Sequence, residues 1–472
     1  AFRVYAPAAT QVEVTLRYSN ASHRYWPKLS GDRRRWRALE ADRIAVDHHA
    51  ATFRLELRAG STFVAAQPVE TVEETLAWAR GALRRAGFEE VEYGRSRDGR
   101  PLIAFVAGGD AGDGMIVAMT RQHPPETTGA AAFRAFVETL AEGGSEMTAL
   151  RARHRLVLAP MANPDGVARG HWRQNAGGVD LNRDWGAFSQ PETSALSELI
   201  LRESEGRRLV AFIDFHSTQR SVVYAPPLDA PSPSIGFLPF LEQRFAQTLA
   251  TPMSWSYGHD ANAGVSKAWA LETLGAPAIT LELADTAEAA EVQLVGQTAA
   301  RALATYFGAT PVVEPMDQTY PGARRFRFDG WAGPALDVWL FRAASAGAAA
   351  PVLFVMHGVG RDADRYLREW AALADRYGAV LVVPEFSSEA FPGAANYNLG
   401  AVQNGQGDMR PRALWSYAAI EPIFDAVVAI EGLTTRTYRL YGHSAGAQFV
   451  HRFAMLQAGA RLLRAGSAKT GR

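Results

Sequence analysis

From residue 94 to about residue 307, short apolar runs alternate with segments of helical period, and this alternation most constrains the fold. Apolar runs stand at 115–118, 156–159, 209–215 and 277–283, with helix-period segments between them. That alternation builds a mostly parallel sheet with helices on both faces. Such sheets bind ligands beyond the carboxyl ends of their strands. Polar residues that close the apolar runs are therefore the first candidates for chemistry.

The run at 115–118 leads into Met-Thr-Arg-Gln-His-Pro-Pro-Glu, residues 119–126. In 127–140 that follows, Ala131, Phe133, Phe136, Val137 and Leu140 recur at helical spacing. His123 thus falls in a strand-to-helix loop. Pro124 and Pro125 suit a loop and a first turn rather than a helix interior, which places Glu126 at the helix start. An imidazole and a carboxylate in that relation can share one metal ion, although a surface histidine fits the same pattern. The run at 209–215 leads into His216 through Asp214-Phe215, and 277–283 encloses Glu282 among apolar residues. A carboxylate buried in a strand is costly unless it has a partner or a task.

The sequence resembles the zinc carboxypeptidase family. The matching parts are His123-Pro124-Pro125-Glu126, Asn163-Pro164-Asp165-Gly166, Trp172-Arg173, Asp180-Leu181-Asn182-Arg183, Asp214-Phe215-His216 and Thr280-Leu281-Glu282-Leu283, in the family's order over about residues 94–308. The preceding β-rich segment, and Pro125 where pancreatic-type members carry an arginine, are similar to the cytosolic carboxypeptidase branch. The resemblance implies one zinc ion held by His123, Glu126 and His216, with a fourth position for water. It implies Glu282 as general base, Arg173 as the oxyanion-stabilising group, and Arg183 with Asn182 as the grip on a terminal carboxylate. Tyr257 is the nearest counterpart of the family's tyrosine, although gap-free counting back from Glu282 lands on Asp260. On that same register Lys267 stands at the base of the specificity pocket, which implies a preference for acidic C-terminal residues. The implied substrate is a peptide or protein C-terminus. A zinc amidoacylase acting on small N-acyl amino acids is an alternative, and a non-catalytic binding module is another.

The flanks differ in pattern. Residues 1–70 alternate polar and apolar side chains at 3–5, 11–16 and 52–57, which predicts a small antiparallel β-sandwich. The carboxypeptidase-like α/β domain, with a mixed sheet as the resemblance implies, is expected over 71–310. Pro311, Pro315 and Pro321 punctuate a linker at 311–324. A second α/β pattern fills 325–472. In it Gly442-His443-Ser444-Ala445-Gly446 lies between a predicted strand and a predicted helix, the context of a nucleophile elbow. His357-Gly358-Val359-Gly360 follows an earlier strand as an oxyanion loop would. This region resembles an α/β-hydrolase with Ser444 as a second-site nucleophile, and a serine esterase is the corresponding alternative function. In that fold the acid and the histidine follow the serine, yet only 28 residues follow Ser444 and the tail 465–472 contains neither. His451 lies two helical turns along the elbow helix, too far to act as base. The expectation is a truncated hydrolase-like domain.

Composition narrows the chemistry. Lys plus Arg equals Asp plus Glu at 49 each, so no charge excess favours nucleic acid or an anionic membrane. With no cysteine, any metal must be held by His, Asp or Glu. No apolar run approaches the roughly 18 residues of a membrane span. The chain begins Ala1-Phe2-Arg3-Val4, with neither an initiator Met nor a signal-like segment, so a start further upstream is expected. The compartment is left open with the cytoplasm favoured, and nothing in the sequence speaks to oligomeric state.

Overall fold

The central sheet has eight strands. In spatial order they are Ser254–Tyr257, Val222–Ala225, Ala278–Ala284, Arg208–Thr218, Gly114–Thr120, Arg155–Ala159, Pro101–Ala107 and Glu89–Arg95. The computed structural model describes residues 1–472 except 20–21, 110–113, 229, 231, 233, 235, 309–312, 316–321, 458 and 470–472. The strands Arg155–Ala159, Gly114–Thr120, Arg208–Thr218 and Ala278–Ala284 are mutually parallel, as the alternation predicts. The outer pairings Glu89–Arg95 with Pro101–Ala107, and Val222–Ala225 with Ala278–Ala284, are antiparallel, so the sheet is mixed. Residues 96–100 are too few for a crossover and can only close a hairpin.

The strand Gly114–Thr120 shows why its apolar residues run without interruption. Ile116 and Ala118 pack with Phe133, Phe136 and Phe215 under the helices Thr127–Ala141 and Ala289–Leu303. Met115, Val117 and Met119 pack on the opposite face with Trp185, Phe212 and Trp269, under Pro191–Glu203 and Ser266–Leu274. Alternate side chains point to opposite faces, and both faces are covered. Ala131 is exposed, while its neighbours Ala130 and Ala132 carry the buried stripe.

The N-terminal region is the expected antiparallel sandwich. One sheet holds Phe2–Ala6, Gly60–Ala65, Lys28–Ser30 and Arg37–Ala38, and the other holds Thr10–Arg17, Ala50–Leu57 and Ile44–Val46. Leu29, Phe53, Leu55 and Val64 fill the space between them. The helix Val72–Leu83 opens with a Thr71–Glu74 capping box and joins the core of the central domain through Leu76, Ala79 and Leu83.

A third sheet has the order Val313–Pro315, Ala323–Phe328, Leu336–Arg342, Val380–Glu385, Val352–Met356, Tyr438–His443 and Leu462–Ala468. Residues 313–315 and 323–324 of the linker expected at 311–324 therefore belong to this sheet; residues 311–312 and 316–321 lie outside the described residues. Near the end of the chain the strand Leu462–Ala468 lies parallel to Tyr438–His443. Among the described residues, no helix is long and apolar enough to cross a membrane.

Candidate metal centre

Two neighbouring parallel strands deliver the central constellation at their carboxyl ends. His123 follows Gly114–Thr120, Glu126 is the N-cap of Thr127–Ala141, and His216 lies near the end of Arg208–Thr218. All three are buried. His123 Nδ1 stands 2.9 Å from Glu126 Oε1, and His216 Nδ1 stands 2.8 Å from Glu126 Oε2. The two Nδ1 atoms are 3.2 Å apart. One donor atom from each of the three residues lies within 4.8 Å of the other two, a spacing and a His₂Glu donor set that suit a zinc ion.

Charge points the same way. Burial works against a charge on His216, but the Asp214 and Glu126 carboxylates outweigh it and hold the imidazole well above its ordinary pKa. Burial likewise works against the Glu126 carboxylate, and His216 and His123 outweigh it, holding Glu126 far below the usual carboxylate range. The cluster requires positive charge at its centre, and a dication can take the place of the proton.

Glu282 is the register partner of His216 on the adjacent parallel strand, so the two residues stand side by side. Its Oε2 is buried without a hydrogen-bond partner among the described residues. Burial is the main cause that raises Glu282 to about 7; His216 opposes this and Glu126 adds to it. A carboxylate poised there suits proton transfer.

Two carboxylates that stand in the matched motifs but were given no role, Asp214 and Asp180, orient the imidazoles. His216 Nε2 lies 2.9 Å from Asp214 Oδ2, which also accepts hydrogen bonds from Gln122 Nε2 and Ser266 Oγ, both at 2.6 Å. Asp214 precedes His216 by two strand positions and so shares its face; this signal was readable. His123 Nε2 lies 2.9 Å from Asp180 Oδ1, and Arg173 Nε donates to Asp180 Oδ2 at 2.5 Å. Burial would raise Asp180, but His123 and Arg173 bring it to about 2. Each carboxylate occupies an Nε2 and thereby turns an Nδ1 toward the centre. Arg121 was also unforeseen. It is buried at φ +63°, and its Nη2 reaches the Glu70 carbonyl at 3.5 Å. The Asn163–Gly166 motif acts as scaffold: the Asn163 side chain caps Pro164–Arg169 and donates to the Gln122 carbonyl at 2.9 Å.

Helix and strand touch closely at this point. A Cβ on Gly129 would lie 2.3 Å from the His216 carbonyl oxygen, so only glycine lets the Glu126 helix approach the His216 strand. Gly129→Ala is therefore expected to separate Glu126 from His216 and weaken metal affinity about 10- to 100-fold, the range seen when support of a ligand is lost. Competition with a chromophoric chelator measures it, and an unchanged affinity would contradict the close contact.

The remaining sequence candidates divide. Arg183 ends the 3-10 turn Leu181–Arg183, exposed and without a carboxylate partner among the described residues. Its carbonyl is packed against Gly264, which adopts φ +63° and has no room for a Cβ. Asn182 is a strut rather than an open donor: Oδ1 accepts the Ser266 N–H at 3.0 Å, and Nδ2 lies 3.5 Å from His216 Nε2. The Tyr257 hydroxyl is held by Glu242. Burial and Glu242 together raise its pKa. Lys267 is half-buried at the start of Ser266–Leu274 and donates to the Gly258 carbonyl at 3.1 Å. Burial lowers its pKa, and Asp260 partly restores it. A niche of about 320 Å³ opens at His171, Trp172, Arg173 and Gln174. The larger cavity, about 630 Å³, lies away from this chemistry, between the central and C-terminal sheets near His154, Arg208 and Asp425.

Ser444 lies in the sharp turn between Tyr438–His443 and Ala445–Leu456, at φ 57° and ψ −116°. A Cβ at Gly442 or Gly446 would come within 2.1 Å of backbone oxygen, so the turn depends on both glycines. This is the backbone of a nucleophile elbow. No imidazole among the described residues is hydrogen-bonded to the Ser444 hydroxyl. His443 Nδ1 pairs with the Tyr366 hydroxyl at 2.9 Å, His357 Nε2 accepts the Phe386 N–H at 3.0 Å, and His451 is exposed. A fluorophosphonate probe is expected to leave Ser444 unlabelled in this chain. Stoichiometric labelling, read by peptide mass spectrometry, would reveal a base from elsewhere.

Comparison with known proteins bears on the central domain. Residues 88–301 match the family model described as Zinc carboxypeptidase. An uncharacterized protein of Zymomonas mobilis is 31% identical over 188 residues, 38% of this chain and 47% of its own. Cytosolic carboxypeptidase 2 of Danio rerio is 31% identical over 108 residues, 22% of this chain and 15% of its own. The chain thus spans about half, or less, of the length of these curated relatives. A metallo-carboxypeptidase from Pseudomonas aeruginosa, solved with (2-guanidinoethylmercapto)succinic acid, superposes with a TM-score of 0.52. It is 26% identical and covers 64% of this chain and 87% of its own. Fold, ordered motifs and family match agree over one stretch: residues 88–301 of this chain match the zinc carboxypeptidase domain.

Proposed function

We propose that this protein is a zinc-dependent metallocarboxypeptidase that hydrolyses the C-terminal peptide bond of a peptide or protein. The observation that carries the reading is the buried His123–Glu126–His216 cluster, with Glu282 in register beside it and its Oε2 without a hydrogen-bond partner among the described residues. Zinc at those three donors would supply Lewis acidity toward the scissile carbonyl and a water of near-neutral pKa. Glu282 accepts the proton of the attacking water at its carboxylate and passes it to the leaving amine. Arg173, held at Nε by Asp180, turns its remaining N–H groups to the oxygen on which negative charge develops. Arg183 clamps the terminal carboxylate through the planar fork of its guanidinium. Asn182 supports that clamp from behind through Ser266. Tyr257 would join the substrate only after leaving Glu242.

Lys267 carries a finer reading, a preference for C-terminal Glu or Asp. Its ammonium is half-buried in the loop-and-helix segment that packs on Arg183, where an acidic side chain would relieve the cost of burial.

One substrate panel tests these roles. Blocked dipeptides with a free C-terminus should be hydrolysed, and their amidated forms should not. Arg183→Ala should raise KM roughly 10- to 100-fold, the worth of a charge-assisted hydrogen-bonded pair. A C-terminal Glu should be preferred over Phe and Lys, and Lys267→Asp should shift preference toward Lys. Equal turnover of amidated peptides would sink the exopeptidase reading. Turnover of small N-acyl amino acids alone would favour an amidoacylase.

A further inference from the structure

The loop that joins Thr10–Arg17 to Lys28–Ser30 in the N-terminal sandwich reaches the metal centre. Arg24 Nε pairs with Asp285 Oδ2 at 2.9 Å, with side chains only 19% and 9% exposed. Arg24 Nη2 donates to the Ser217 carbonyl at 3.2 Å. Ser217 is the residue after His216, and its own N–H donates to Glu126 Oε2 at 3.1 Å. Its hydroxyl receives the Thr128 Oγ1 hydrogen bond at 2.7 Å and the Gly129 N–H at 2.8 Å. Asp285 lies three residues beyond Glu282, and its N–H donates to the Thr218 carbonyl at 2.7 Å. The sandwich holds Asp285 a second time, through Gln67 Nε2 to its carbonyl at 3.1 Å, and Lys28 Nζ donates to Gln67 Oε1 at 2.7 Å.

One guanidinium therefore ties together the ends of the two strands that carry His216 and Glu282. An arginine suits the task because its rigid fork serves two acceptors at a fixed separation, which an ammonium cannot do.

We propose that Arg24 is a positioning residue of the metal centre, and that the N-terminal sandwich is thereby a working part of the site. Arg24 holds the Ser217 carbonyl and so fixes that residue's backbone, whose N–H, on the preceding peptide plane, keeps Glu126 Oε2 directed at the donor cluster. This rests on the metal-site reading above. The test measures zinc affinity of the full chain by chelator competition, with zinc alone as ligand, for the unaltered protein and for Arg24→Met, Arg24→Lys and Asp285→Asn. Arg24→Met should weaken zinc binding 10- to 100-fold, the loss typical of a group that supports a ligand. Arg24→Lys should fall between, since it keeps the charge beside Asp285 but not both acceptors. At saturating zinc, kcat should fall while KM stays within twofold, a split that general loosening of the fold would not produce. Arg24→Met with unaltered zinc affinity overturns the proposal and leaves the metal-site reading intact. If Arg24→Met does not fold, Arg24→Lys with affinity equal to that of the unaltered protein overturns it equally. An unaltered protein without stoichiometric zinc overturns both.

Discussion

Glu282→Gln is expected to lower kcat by about 10²- to 10⁴-fold while zinc content and KM stay unchanged, because an amide keeps the shape of the side chain but cannot accept the proton. The environment of Glu282 also sets a pH dependence. Burial raises the carboxyl to about 7 in the metal-free protein. Only the carboxylate form serves as base, so kcat/KM should rise with pH through that group's pKa. A dication at the neighbouring donors favours the carboxylate, so the acid limb of the loaded enzyme should lie below pH 7. In Glu282→Gln that limb should vanish from the residual activity. A variant that retains more than a tenth of kcat, or the same acid limb, would remove Glu282 from the role of base.

His216→Ala should act differently. It removes one of three donors, so stoichiometric zinc and activity are both expected to be lost. It also leaves Glu126 and Asp214 buried without the imidazole that lies 2.8 and 2.9 Å from them. Breaking such a buried pair typically costs about 3–5 kcal/mol, so the metal-free variant should unfold at markedly lower urea than the metal-free parent. Glu282→Gln makes a useful contrast, because it removes a buried carboxylate whose Oε2 has no partner and should be neutral or stabilising. The proton on His216 has a further consequence for the parent protein. Metal must displace it, so zinc affinity should increase as pH rises. Full zinc occupancy in His216→Ala would show that the cluster is not the metal site.

Much of the site was legible because its cause is local. The apolar runs mark strands, and strand ends of a parallel sheet are where side chains converge. His123 and Glu126 are joined across one turn, and Asp214 and His216 share a strand face, so spacing alone relates them. Their order along the chain, with Arg173, Asn182, Arg183 and Glu282, carried the family resemblance. Ser444 was legible for the same reason, since its strand–turn–helix context lies within a few residues of it.

Contacts between distant segments could not be read this way. Asp180 orients His123 across 57 residues, and Arg24 reaches Asp285 across 261. Nothing near Arg24 in the chain distinguishes it from the surface arginines around it. Gly129 looks like any helix glycine until the His216 carbonyl is placed 2.3 Å from where its Cβ would be. The amide of Asn182 turned out to be engaged by Ser266, and the hydroxyl of Tyr257 by Glu242. The direction of the outer strands and the pairing of the tail with Tyr438–His443 were likewise settled by packing. Periodicity and turn chemistry depend on residues a few positions apart, so they are written along the chain. Which buried charge meets which carboxylate depends on how whole elements pack, and only the tertiary structure decides it.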